Sequence, residues 1–128
     1  GVHLGQNNLP YAAAHKILGE DYLIGVSAHN PAEAKAALQN GADYLGCGAV
    51  FGTATKADVQ KLGTDGLAAI CREKGLPVVG IGGVTADNYR EVRAAGADGA
   101  AIVSGILAQS DIRATVKAIA KVSQEFAK

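Results

Sequence analysis

Two stretches of the sequence share one pattern: Gly41-Ala42-Asp43-Tyr44-Leu45-Gly46 and Gly96-Ala97-Asp98-Gly99-Ala100-Ala101. Each follows a segment whose apolar residues have helical spacing, and each leads into an apolar run, so each marks a junction from helix to strand. Such a repeat predicts parallel βα units, because a crossover helix carries the chain back to the start of the next parallel strand.

Five short apolar runs are the candidate strands. They lie at Val2–Gly5, Tyr22–Ser27, Tyr44–Phe51, Pro77–Gly82 and Gly99–Ile106. We expect an α/β domain with parallel strands and with helices between them. Two architectures remain open: a doubly wound open sheet, and the later part of an eight-stranded βα barrel, which typically needs ~250 residues.

The helical segments between the strands carry recognisable end signals. Asn30 is the expected cap of one helix, because its side chain can accept a backbone N–H group, and Ser110-Asp111 is expected to start the last helix. The first segment, Leu9–Leu18, is expected to be capped by Asn7 or Asn8. Others are expected over Thr64–Lys74, ending at Gly75, and from about Ala86 to Gly96.

Composition limits the class of protein. The chain has 128 residues, the size of one domain. Its twelve Lys and Arg residues balance twelve Asp and Glu residues, which disfavours a protein that holds nucleic acid through a basic surface. The apolar runs are far shorter than the ~18 residues that a membrane span requires. Cys47 and Cys71 have no metal-ligand spacing, so we interpret them as reduced thiols of a cytoplasmic protein.

Candidate binding residues follow the strands, at the end of a parallel sheet where ligands gather. Glycines in Gly80-Ile81-Gly82-Gly83 let backbone N–H groups approach an anion. Val103-Ser104-Gly105 ends the next strand, and adjacent strands ending in Gly-Gly and Ser-Gly suit a phosphate site. Tight turns without a ligand are the alternative.

Two further strand ends carry polar groups. Thr53-Ala54-Thr55-Lys56 offers two hydroxyls and an ammonium to phosphate oxygens, although such a pattern is also common on solvated surfaces. Ser27 is expected to face the ligand, with a cap of the following helix as the alternative, and His29 is either an acid-base group or a loop brace. His3, inside the first strand, is expected to be a buried structural histidine. No nucleophile motif or metal-ligand cluster is present.

These pieces together resemble thiamine-phosphate synthase. The resemblance rests on their order and spacing, and it covers essentially the whole chain: Gly1-Val2-His3-Leu4-Gly5-Gln6, Gly25-Val26-Ser27-Ala28-His29, Gly41-Ala42-Asp43-Tyr44, Thr53-Ala54-Thr55-Lys56, Gly80-Ile81-Gly82-Gly83 and Gly96-Ala97-Asp98-Gly99 with Val103-Ser104. It implies a TIM (βα)8 barrel, of which residues 1–128 are a single partial domain running from strand four to helix eight. The N-terminal βα units are then absent.

The resemblance also implies a reaction. A pyrimidine-methyl group passes from its diphosphate to a thiazole phosphate, giving thiamine phosphate and pyrophosphate with Mg²⁺. The protein positions the substrates and stabilises the leaving charge, so no catalytic nucleophile is expected. By position, Ser27 and Lys56 contact the pyrimidine diphosphate, and the thiazole phosphate is held by Thr53, Thr55, Gly83, Val103 and Ser104.

The sequence departs from the family where Asn7 and Asn8 replace an acidic pair whose second member binds Mg²⁺. A neutral Asn8 oxygen should hold the dication more weakly than a carboxylate. The chain alone is expected to be inactive, and to be ordered only with an N-terminal barrel half or in a homo-oligomer. Two other readings stay open: a thiazole tautomerase that needs no metal, and a non-catalytic phosphate-binding barrel fragment.

Overall fold

The computed structural model describes residues 1–52 and 61–127. Strands and helices alternate along these residues, as the repeat predicts. The elements are β1 (Val2–Leu4), α1 (Tyr11–Leu18), β2 (Ile24–Ala28), α2 (Pro31–Asn40), β3 (Tyr44–Cys47), α3 (Gly63–Arg72), β4 (Val78–Ile81), α4 (Tyr89–Ala94), β5 (Gly99–Ala101), α5 (Ser104–Leu107) and α6 (Ile112–Glu125). Within the described ranges, no helix is both long enough and apolar enough to cross a membrane.

The five strands form one parallel sheet in the order β1-β2-β3-β4-β5. A doubly wound sheet reverses its strand order at a switch point, and this order contains no reversal. Strands that follow one another around a βα barrel have this order. The α/β class of parallel βα units is therefore confirmed, and the doubly wound alternative is wrong.

One face of the sheet is covered by helices. Leu45 and Val78, which pair across β3 and β4, point to this face and are buried there together with Leu67 and Ile70 of α3. Cys47 is fully buried in the same cluster and packs there as a small core residue. Burial raises the pKa of its thiol to about 12, so the thiol stays protonated.

The opposite side of the sheet, called here the second face, carries the alternate residues of each strand. His3, Gly25 and Tyr44 form one row across it, and Ser27 and Gly46 form the next. His3 is exposed on this face, so the expectation of a buried histidine is wrong. The prediction placed His3 within a covered strand, whereas among the described residues only one side of β1 is covered.

The predicted cap at Asn30 and the predicted helix start at Ser110-Asp111 are confirmed. The Asn30 Oδ1 accepts the Glu33 N–H at 2.9 Å, and the Asp111 Oδ1 accepts the Ala114 N–H at 2.9 Å. The prediction for Asn7 or Asn8 is wrong: α1 begins at Tyr11 after Pro10, with no side-chain cap. Pro10 occupies the cap position, and its ring has no side-chain acceptor for the first N–H groups of the helix.

Several predicted elements are longer than the observed ones. β3 ends at Cys47 and β5 at Ala101, so the chain leaves the sheet earlier than Phe51 and Ile106. The apolar run after Ala101 instead forms the short helix α5, because apolar periodicity cannot separate a short strand from a short helix. Helix α4 begins at Tyr89 rather than near Ala86, and α3 ends at Arg72.

Candidate functional site

A cleft of about 310 Å³ lies where β2, β3, β4 and β5 end. Strand ends of a parallel sheet meet at one edge, so loops that are distant in sequence converge there. The cleft is lined by Ser27, His29, Gly46, Gly48, Ala49, Ile81, Gly82, Gly83, Val84, Ala101, Ile102, Val103 and Ser104.

Four predicted site residues come together in this cleft: Ser27, Gly83, Val103 and Ser104. They follow or end three different strands, and the sheet order brings them to one edge. Thr53, Thr55 and Lys56 lie outside the described residues. Gly52, the residue just before this segment, lies beside the cleft, because a Cβ on Gly83 would lie 2.7 Å from the Gly52 carbonyl oxygen.

Glycine is required at the turn after β4. Gly82 and Gly83 have φ of +100° and +67°, which side chains rarely adopt. A Cβ on Gly82 would also lie 2.7 Å from the Ala49 Cα. Among the described residues, none accepts a hydrogen bond from the N–H of Gly83 or Val84. The turn therefore presents backbone donors of the kind that bind phosphate oxygens.

The turn after β4 is fixed by Asn88. Its Oδ1 accepts the Thr85 N–H at 2.8 Å, and its Nδ2 donates to the Gly83 carbonyl oxygen at 3.0 Å. The loop after β5 packs directly against this turn, since a Cβ on Gly105 would overlap the Val84 carbonyl. The close approach holds Ser104 beside the turn. Sequence reasoning placed both loops correctly but did not identify Asn88 as their brace.

Ser27 is held from β1 and the loop after it. The Gln6 Nε2 donates to the Ser27 carbonyl oxygen at 2.6 Å, and the His3 Nε2 lies 2.9 Å from the Ser27 Oγ. The second nitrogen of His3, Nδ1, lies 3.1 Å from the Tyr44 hydroxyl. Sequence reasoning missed these roles of His3, Gln6 and Tyr44. The signal was the strand alternation, which places His3 and Tyr44 on the same face as Ser27.

His29 is braced by the helix that follows it. Glu33 Oε2 accepts the His29 backbone N–H at 2.7 Å and lies 2.9 Å from the His29 Nδ1. His29 also lines the cleft, with half of its side chain exposed. Both interpretations made from the sequence, a loop brace and an acid-base group, fit this geometry.

Asn8 lies apart from the cleft residues. It lines a second groove of about 450 Å³ between α1 and α2, and its Oδ1 accepts the Gly5 N–H at 2.6 Å. Within residues 1–52 and 61–127, no three His, Cys, Asp or Glu side chains lie close enough to hold a metal. The described residues thus do not fit a Mg²⁺ site by themselves, since Asn8 supplies one neutral oxygen that is already an acceptor.

Comparison with known proteins gives a consistent family. A family model described as thiamine monophosphate synthase matches residues 1–106. The thiamine-phosphate synthase of Chloroflexus aurantiacus is 46% identical over 131 residues, covering 99% of this chain and 60% of that protein. That of Coprothermobacter proteolyticus is 48% identical over 119 residues, covering 93% of this chain and 56% of that protein.

A solved structure extends the match to the fold. The thiamine phosphate pyrophosphorylase of Pyrococcus furiosus superposes on the whole chain with a TM-score of 0.91 and 38% sequence identity. The chain covers 61% of that protein. It thus spans between half and two thirds of the length of each relative named here.

Proposed function

Because this chain belongs to the thiamine monophosphate synthase family, we propose that it supplies the substrate-binding edge of an enzyme that makes thiamine phosphate. The observation that carries the proposal is the convergence of Ser27, Gly83, Val103 and Ser104 on one cleft. Two loops that carry backbone donors and hydroxyls at the carboxyl ends of the strands form the kind of site that holds phosphate esters.

The proposed reaction transfers a pyrimidine-methyl group. The bond between the methylene carbon and the diphosphate oxygen breaks, and pyrophosphate leaves with the bonding electrons. The thiazole nitrogen then donates its lone pair to the methylene carbon, which gives the quaternary nitrogen of thiamine phosphate. Charge grows on the departing diphosphate, so groups that donate hydrogen bonds to it stabilise the transition state.

Each part of the cleft has a distinct role in this proposal. Ser27 donates to the diphosphate, and Lys56 adds a charge from the segment that follows Gly52. The Gly83 turn and Ser104 hold the thiazole phosphate, together with Val103, Thr53 and Thr55. The substrates of the enzyme are therefore a pyrimidine diphosphate and a thiazole phosphate. None of these residues attacks the substrate, so the protein acts by orientation and charge stabilisation.

Mg²⁺ is proposed to depend on ligands beyond the described residues, with Asn8 contributing weakly. A metal bound near the diphosphate would supply positive charge to the leaving group. The protein is proposed to work in the cytoplasm, which suits two free thiols, Cys47 and Cys71.

Further βα units are proposed to close the sheet. Within the described part of the chain, β1 pairs only with β2 and β5 only with β4, so each has one free edge. Large apolar side chains near these edges are exposed, including Val103 and Leu107 at 67% each. Below, the complete barrel means this chain together with the units that close its sheet. A 128-residue chain that sediments as a monomer at all concentrations and unfolds cooperatively would contradict this proposal.

The test of function is the turnover of serine variants of the complete barrel. Ser27→Ala removes a hydroxyl that the proposal places on the diphosphate, and it should lower kcat/KM by about 10-fold to 100-fold. Ser123→Ala is the matched control, because Ser123 bonds to the Tyr89 hydroxyl at 2.7 Å, between helices α4 and α6. Product analysis should find thiamine phosphate and pyrophosphate. Equal turnover of both variants, or an isomerised thiazole phosphate as product, would contradict the proposal.

A further inference from the structure

A chain of three polar side chains crosses the second face of the sheet and ends in the cleft. Tyr44 Oη lies 3.1 Å from the His3 Nδ1, and the His3 Nε2 lies 2.9 Å from the Ser27 Oγ. Ser27 lines the cleft, whereas His3 and Tyr44 do not. The imidazole therefore connects a tyrosine outside the cleft with a hydroxyl that faces it.

The backbone makes room for this arrangement. A Cβ on Gly25 would overlap the Tyr44 ring, and a Cβ on Gly46 would lie 2.7 Å from the His3 Cε1. Both rings thus lie against bare backbone, with their centroids 5.5 Å apart. Gln6 holds the other side of Ser27 by donating to its carbonyl oxygen. The three side chains are fixed by the sheet rather than brought together by chance on a surface.

The chemistry of the ligand sets the direction in which these three side chains donate hydrogen bonds. Phosphate oxygens only accept hydrogen bonds from a serine, so Ser27 must point its single proton at the ligand. The Ser27 Oγ is then free to accept a hydrogen bond, and His3 Nε2 is the neighbouring donor. A neutral imidazole that carries its proton on Nε2 has an acceptor at Nδ1, which suits the hydroxyl proton of Tyr44.

We infer that His3 is a positioning residue, which holds its proton on Nε2 so that Ser27 donates to an anionic ligand. The donors then run in one direction: Tyr44 to His3, His3 to Ser27, and Ser27 to the phosphate oxygen. Hydrogen bonds aligned in this way polarise one another. Although His3 is exposed on one side, the sheet backbone and Tyr44 remove part of its hydration, and this desolvation lowers the pKa of His3, which favours the neutral ring that the arrangement needs.

The inference rests on the proposed function for the identity of the anion, but its first test does not require turnover. The sequence contains three histidines, His3, His15 and His29. In nitrogen-detected NMR spectra of the complete barrel, the signals of His3 are those that disappear in His3→Gln. With saturating inorganic pyrophosphate, His3 should carry its proton on Nε2. A proton on Nδ1, or a His3 spectrum that pyrophosphate leaves unchanged, overturns the inference.

The second test separates positioning from packing. In His3→Gln the side-chain amide reaches the place of Nε2 and can still donate to Ser27, whereas in His3→Asn the amide ends near the place of Nδ1. We expect His3→Asn to lower kcat by roughly threefold to tenfold, the effect of one neutral hydrogen bond, and His3→Gln to recover most of it. Equal loss in the two variants overturns the inference.

Tyr44→Phe completes the set. It leaves the His3–Ser27 contact in place but removes the hydroxyl that selects the tautomer, so its kcat should fall less than that of His3→Asn. A larger loss than in His3→Asn overturns the proposed direction of the chain. Failure of the proposed function has a different signature: pyrophosphate binds and His3 carries its proton on Nε2, yet no thiamine phosphate forms.

Discussion

The two ends of the sheet differ in the residues they carry. At the end where the strands begin, each of two aspartates accepts a backbone N–H of the neighbouring strand that precedes it in the chain. At the end where the strands stop, glycines and serines line the cleft. Asp43 Oδ2 accepts the Ile24 N–H at 2.7 Å, and Asp98 Oδ2 accepts the Val78 N–H at 2.8 Å. At both aspartates the backbone N–H also donates to the same residue of the preceding strand. The two Gly-Ala-Asp stretches thus have the same structural role, which is to bind the first residue of the preceding strand through the aspartate.

The contrast separates stability from binding. The aspartates satisfy the first N–H of a strand, which would otherwise lack a partner. At the opposite end, among the described residues, the N–H groups of Gly83 and Val84 have no acceptor, and the proposed function assigns such donors to a ligand. In βα barrels the edge where strands begin generally carries stability and the edge where they stop carries chemistry. Substitutions at the two edges should therefore change different measurements.

The largest effect is expected from Lys56→Ala in the complete barrel, because the proposed function assigns Lys56 to the diphosphate. Losing one charge-assisted contact to the departing diphosphate should cost about 2–4 kcal/mol, or about 30-fold to 1,000-fold in kcat/KM. The midpoint of urea unfolding should not change. Lys61→Ala is the control, because Lys61 is exposed on the surface. Equal kcat/KM values in the two variants would show that Lys56 is a solvated charge.

The opposite edge should respond to Asp98→Ala by losing stability without losing turnover. Asp98 binds the Lys74 Nζ at 2.7 Å as well as the Val78 N–H. Because the carboxylate is half exposed, we expect a loss of about 1–2 kcal/mol in the free energy of unfolding. Asp98→Asn keeps an acceptor for Val78 and should lose only about 0.5 kcal/mol.

Asp43→Ala sharpens the comparison between the two aspartates. Its carboxylate makes the same bond to a strand N–H, but the ion pair to lysine is found only at Asp98 among the described residues. The loss in unfolding free energy should be about 1 kcal/mol and should not exceed that of Asp98→Ala. Urea unfolding of both variants measures the difference. A larger loss at Asp43 would mean that the lysine contributes nothing.

Asn8→Asp tests whether the loop after β1 belongs to the cleft edge. A carboxylate in place of the amide should raise the affinity for Mg²⁺ by about tenfold, because hard cations prefer charged oxygen ligands. Calorimetric titration of the complete barrel with Mg²⁺ measures it. Asn7→Asp is the matched control, since it adds the same charge one position earlier. Equal affinities in the two variants would remove Asn8 from the metal site.

The smallest predicted effect is a change in the free energy of unfolding at acidic pH. Partial burial alone would raise the pKa of Asp98, but hydrogen bonds from Lys74 and Val78, with the charges of Lys74 and Arg93, lower it overall from its ordinary 3.8. A lowered pKa adds stability above 3.8 that is lost as pH falls through the folded value. The difference in unfolding free energy between wild type and Asp98→Asn should therefore shrink by at most about 0.5 kcal/mol below pH 4, as measured by urea unfolding at several pH values.

The sequence predicted the arrangement better than the details. The Gly-Ala-Asp repeat identified the βα units because each aspartate is needed at a strand start, and four cleft residues were found because strand ends converge. The sequence did not separate the end of β5 from α5, since Ile102 and Ile106 suit either element. It also missed His3, whose role depends on strand register: only pairing with β2 brings it to Ser27.

The unbroken strand order has a consequence for how the sheet assembles. Paired residues lie 22 positions apart at Val2 and Ile24, 19 at Gly25 and Tyr44, 33 at Leu45 and Val78, and 20 at Val79 and Gly99. Closing the longest of these loops costs only about 0.5 kcal/mol more free energy, through lost chain entropy, than closing the shortest. Loop length therefore does not decide which pair forms first. β3 and β4 join Leu45 and Val78, both at most 1% exposed, so pairing is expected to start there and spread outward, neighbour by neighbour.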